Sequence, residues 1–118
     1  MNHLDTTVLV AALLEDEPAH AACAKLLLQG KSSIWSHALA ETFSTLTGGR
    51  LSIRLPPEDA AALITRSLLP RLRLIDFSAS DYRSLFTHAA SSGARGGALY
   101  DFLHLRAAAK ANAEVLLH

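Results

Sequence analysis

The stretch "SSIWSHALAETFSTLT", residues 32–47, decides the fold. Its first part, "SSIWS", is short, uncharged and carries β-favouring Ile34 and Trp35, so it reads as a buried strand. Ser36 then caps a helix over "HALAETFSTLT", because a serine oxygen can accept from the first free N–H groups of a helix. Gly48 and Gly49 end that helix. A buried strand that passes directly into a helix is the building unit of a parallel sheet.

The same alternation extends in both directions. Upstream, "NHL" is a short strand and "TTVLVAALL" a helix that Asp5 or Thr6 can cap. Pro18 suits the first turn of a second helix, through "AHAACAKLLL", which stops near Gly30. Downstream, "PPEDAAALITRSLL" is a helix with proline near its start, and "RLRLIDF" is a strand. "SASDYRSLFTHAA" carries a cap, an acid three residues on, and apolar residues at helical spacing. "GALYDFLHLRAAAKA" is the most apolar helix, and "AEVLL" reads as a final strand. Strands separated by pairs of helices predict an α/β chain with a parallel central sheet and helices on both faces.

Composition sets the class. The 118 residues make one domain, 1–118, long enough for a sizeable core. Half the residues are hydrophobic, 19% are charged, and the formal net charge is zero. Bulk charge therefore does not mark a nucleic-acid binder, and any such binding needs a local basic patch. Acidic residues outnumber basic ones in 1–59, and the balance reverses in 60–118. A single cysteine, Cys23, excludes an internal disulfide framework and fits a reducing compartment. The start "MNHLDTT" lacks the pattern of a signal peptide, and no apolar run is long enough to span a bilayer. A cytoplasmic protein is the expectation.

Ligands of open α/β sheets bind outside the carboxyl ends of the strands, which directs attention to three acids. Asp5 lies where the first strand gives way to the first helix, and a helix cap explains it as well as a ligand role does. Glu41 points away from an apolar stripe of Leu39, Phe43 and Leu46, so it faces water or a cleft. Asp101 sits in a helix that is apolar on nearly every side, where a lone carboxylate is costly. His104, one turn on, is one partner for it. The other is a divalent cation shared with Asp5 and Glu41, since a hard cation relieves the repulsion of converging carboxylates. Trp35 and Phe43 read as core.

"LDTTVLVAAL", "SHALAETFSTL" and "GALYDFLHLRAAAKANAEVLL" together resemble the PIN-domain ribonucleases of the VapC toxin type, over nearly the whole chain. The resemblance implies a three-layer α/β/α sandwich in which Asp5, Glu41 and Asp101 hold magnesium or manganese. It implies metal-assisted hydrolysis of RNA, a homodimer and a cognate antitoxin protein. Asn commonly stands in the family where this chain has Thr7. The family also has a further acid soon after the position of "VLL", and usually a further strand, both beyond His118 here. A catalytically impaired interaction module that binds an antitoxin or RNA is therefore the competing expectation. A phospho-acceptor receiver domain is a weaker one, because "NHLD" offers one acid where that class needs a pair. Substrate contacts fall on Thr7, Arg50, Arg95 and Arg106, arginine being suited to phosphate by its forked donors. Lys110 is a further basic side chain on the last helix. His104 is a proton shuttle or, preferably, the hydrogen-bond partner of Asp101.

Overall fold

The computed structural model describes residues 2–48 and 54–116, with side chains through Asn112. The strands are β1 (Asn2–Leu4), β2 (Ser32–Trp35) and β3 (Leu72–Ile75). The helices are α1 (Thr6–Leu13), α2 (His20–Leu28), α3 (His37–Gly48), α4 (Pro57–Leu63), α5 (Ala79–Ser91) and α6 (Ala98–Leu116). The sheet has the order β1-β2-β3, and both pairings are parallel. All four residues of the central strand β2 are buried, as expected of a strand covered on both faces.

Alternation along β2 divides the interior. Ile34 lies opposite Leu4 and packs with Leu9, Leu27 and Leu46 of α1, α2 and α3 and with Leu68 of the turn after α4. The next residue, Trp35, points to the other face, where it lies opposite Ile75 and packs with Leu85 of α5 and Leu103, Ala107 and Ala111 of α6. Two cores on opposite faces of one parallel sheet make the three-layer sandwich that the strand–helix alternation predicts.

Local chemistry sets the element ends. Asp5 caps α1, its Oδ1 accepting from the Val8 N–H at 3.1 Å. Gly30 closes α2 at φ 68°, where other residues are strained. Pro18 precedes α2 in a turn, ahead of Ala19 at the cap position. After α4 the chain widens into a π turn, Ile64–Leu68, and tightens into a 3-10 turn, Leu69–Arg71. Pro70 explains the irregularity, because a proline ring collides with the carbonyl four residues back and cannot donate to it. The Arg71 guanidinium donates to the Ser67 carbonyl at 3.1 Å and so replaces a helical partner.

Three expectations need correction. "AEVL", the part of "AEVLL" within the described residues, is not a strand: α6 continues through Leu116. No glycine or proline interrupts the alanine-rich run that precedes it, so helix propagates. The same helix is not buried on every side. Leu103, Ala107 and Ala111 face the core, whereas Tyr100, Asp101 and Leu105 are exposed. Phe43 is not core either. Ala38, Thr42 and Leu46 form the buried stripe of α3, and Thr42 is admitted because its hydroxyl donates to the Ala38 carbonyl at 2.7 Å.

Candidate functional site

Parallel strands bring their carboxyl ends to one rim, and the helices that follow start there. Asp5 leaves β1 at this rim as the cap of α1. Asp101 lies in the first turn of α6. The two carboxylates line one groove of about 580 Å³ together with His3, His104, Leu105 and Val8. Both are exposed, so neither bears the burial cost expected for Asp101 from the apolar sequence around it. Residues from opposite ends of the chain thus share a groove.

Glu41 lines a separate cleft of about 480 Å³, between His37 and Gly48 on α3. Its side chain is half-buried, and its Oε1 is buried with no hydrogen-bond partner among the described residues. A buried carboxylate oxygen without a donor is costly. The chemistry that would satisfy it is a cation or a bound water.

Aromatic and imidazole rings connect the two spaces. His104, from the groove, meets Trp35 edge-on with centroids 5.2 Å apart. Trp35 meets His37, from the cleft, at 4.7 Å. His37 in turn faces Tyr100 of α6 at 6.3 Å, the planes only 20° apart. His104 therefore packs on Trp35, and among the described residues it makes no hydrogen bond to Asp101, contrary to expectation. His3 donates to or accepts from the Ser33 hydroxyl at 2.9 Å through Nδ1, and its Nε2 is buried without a partner among the described residues. Burial pushes the His3 imidazole below its usual value; the charge of His104 adds to this, and Asp5 opposes it.

The carboxylates supply hard oxygen donors, which suits magnesium or manganese. Magnesium is commonly held by one or two carboxylates and keeps several waters, and the Asp5–Asp101 pair fits that demand. Among the described residues no three His, Cys, Asp or Glu side chains stand together as a ready-made metal cage. The structure thus brings Asp5 and Asp101 into one groove and leaves Glu41 in the adjoining cleft.

The basic candidates divide. Arg50 lies outside the described residues. Arg95 is exposed in the turn before α6, and Thr7 is exposed in the first turn of α1. Arg106 is 3.8 Å from Asp81 and about half exposed, too loose a pairing to occupy its guanidinium fully. Lys110 is committed elsewhere: its ammonium donates to Asp81 at 2.9 Å and to the Asp76 carbonyl at 2.6 Å. His3, His37 and Tyr100 were not singled out from the sequence. Their signals were proximity to acids: His3 two residues before Asp5, His37 one helical turn before Glu41, Tyr100 beside Asp101.

The sequence profile of the PIN domain matches residues 3–118. Ribonuclease VapC27 of Mycobacterium tuberculosis (strain ATCC 25618 / H37Rv) is 37% identical over 112 residues, covering 95% of this chain and 80% of that relative. No helix among the described residues is long and apolar enough to cross a membrane.

Proposed function

Because the chain belongs to the PIN-domain family, we propose that it is a metal-dependent endoribonuclease that hydrolyses RNA phosphodiester bonds, acting in the cytoplasm as the toxin of a type II toxin–antitoxin pair. The observation that carries this reading is the meeting of Asp5 and Asp101 in one groove at the carboxyl rim of the sheet. A bound Mg2+ or Mn2+ would lower the pKa of a water and neutralise charge developing on the phosphate. Asp5 and Asp101 would hold the ion. Glu41 is the third acid, and from the adjoining cleft it would support the ion or orient a water. Thr7, Arg95 and Arg106 border the path of the RNA, with Arg50 as a fourth contact. The partners are RNA, an antitoxin protein and a second copy of the chain.

The test uses the purified chain and a single-stranded RNA. Cleavage is expected in Mg2+ or Mn2+, and none in EDTA. Asp5→Asn and Asp101→Asn should each cost more than the roughly 10–100-fold loss typical of changing a residue that only supports a metal ligand. Mn2+ binding by calorimetry should fall in parallel. Cleavage that persists in EDTA, or in both variants, overturns the proposal.

One observation favours a second reading, an impaired module that binds an antitoxin or RNA without cutting: Glu41 stands in a different cleft from the two aspartates. A folded chain that takes up no Mn2+ and leaves RNA intact, yet still binds a partner, would establish it.

A further inference from the structure

We propose that the cavity between α5 and α6 is a nucleotide subsite: it holds one phosphate of a single-stranded RNA and seats the attached nucleoside on its apolar wall. This inference rests on the proposed nuclease reading and adds to it a second point of attachment for the strand. The cavity, of about 330 Å³, is lined by Ser84, Leu85 and His88 of α5 and by Phe102, Leu105 and Arg106 of α6. That volume lies at the lower end of the range for small-ligand pockets, which suits a single nucleotide.

The lining has two halves. Leu85, Phe102 and Leu105 are the apolar wall, and Ser84, His88 and Arg106 supply O–H and N–H donors. Among the described residues no carboxylate lines the cavity. Ser84 and His88 are exposed, and the side-chain polar atoms of neither have a hydrogen-bond partner among the described residues. The His88 ring meets Phe102 at 5.2 Å. Arg106 is 3.8 Å from one oxygen of Asp81, whose other oxygen already accepts from Lys110 at 2.9 Å and from the Ser78 N–H at 2.8 Å. A cationic fork flanked by two free donors complements a phosphate.

Leu105 lines this cavity and also the groove of Asp5 and Asp101, so it is the ridge between them. Asp101 and Leu105 are four residues apart on one side of α6, and Phe102 and Arg106 are four apart on the next. A strand crossing that ridge has one phosphate at the carboxylates and another at Arg106. Bases inside a duplex are already stacked and cannot turn to the apolar wall.

The test uses the full chain and a short single-stranded RNA in EDTA, which stops any metal-dependent cutting while binding is measured. By NMR the side-chain resonances of His88 should shift on adding RNA, and those of His20, on the opposite layer, should not. Arg106→Met should weaken binding about tenfold or more and lower the salt slope of binding by about 0.7. His88→Leu and Ser84→Ala should each weaken it about two- to tenfold. Arg66→Met, on the opposite layer, should change neither affinity nor slope. Thermal melting of Arg106→Met should match wild type, since the contact it removes is loose and exposed. The subsite is overturned if wild-type chain binds no single strand, if RNA binds without moving His88, or if a duplex of the same sequence moves His88 as strongly. It is equally overturned if Arg106→Met and His88→Leu bind with wild-type affinity and slope, or if Arg66→Met loses as much as Arg106→Met. Cleavage in Mn2+ by the same wild-type preparation is scored separately. RNA seated at His88 without cleavage removes the nuclease reading and keeps the subsite, whereas cleavage with His88 unmoved does the reverse.

Discussion

Glu41 holds a buried carboxylate oxygen without a donor among the described residues, one helical turn from His37 on α3. An oxygen buried without a donor costs stability, because the water it gives up is not replaced. Evolution tolerates such costs where a site needs them, which is the usual origin of a trade-off between stability and activity. Glu41→Gln removes the charge and keeps the shape. In EDTA it should raise the stability measured by urea unfolding by about 1 kcal/mol, while RNA cleavage in Mn2+ falls. A variant that is less stable than wild type in EDTA would show that Glu41 has a structural partner. Asp5 differs at the same scale, since one carboxylate oxygen already accepts from the Val8 N–H. Capping and metal binding are compatible in it because a carboxylate has a second oxygen to offer.

The elements α5 and α6 are joined by a polar clamp on the outer face of the sheet. Ser78 and Asp81 form a reciprocal capping box at the start of α5. Lys110 of α6 ties that box to the end of β3 through Asp81 and the Asp76 carbonyl. The Ser78 backbone N–H, and after it the Lys110 ammonium, hold the Asp81 carboxyl down to about 2, below its ordinary 3.8. A depressed carboxyl stabilises the fold above its unfolded value and loses that contribution as it takes up a proton. Stability should therefore fall as pH drops from about 4 through about 2. Lys110→Met should make that fall shallower without removing it, because the larger cause, the Ser78 bond, remains. Urea unfolding at several pH values measures the slope, and an unchanged slope in Lys110→Met would show that the ammonium contributes nothing to it. The clamp also explains why Lys110 is a poor candidate for holding RNA.

For the whole molecule, the groove couples two ends of the chain across the sheet. An ion held by Asp5 of the first loop and Asp101 of the last helix, as proposed, would bind the folded chain and not the unfolded one. Mass action then stabilises the fold by about 2.7 kcal/mol at a hundred times the dissociation constant. For a domain of this length each kcal/mol raises Tm by roughly 4–8 °C. Mn2+ should thus raise Tm by about 10 °C or more at saturation, and Asp5→Asn combined with Asp101→Asn should abolish the rise. A shift that survives the double variant would place the ion elsewhere.

The sequence by itself determined the architecture, because hydrophobic period, caps and turn residues are local signals. The buried run of β2, the Asp5 cap and the Ser78–Asp81 box all lie where their neighbours dictate. It went wrong where a local signal admits two outcomes: "EVLL" favours strand, but the unbroken alanine run ahead of it carried helix through Leu116. It also misjudged faces, reading Phe43 as core and α6 as buried all round, since burial depends on which elements arrive to cover a helix. Only the tertiary structure decided that Asp5 and Asp101 share a groove while Glu41 occupies the next cleft, and that His37 faces Tyr100. Those meetings join residues distant in the chain, and their distances are set by how helices seat on a twisted sheet, for which no stretch of sequence carries a local signature.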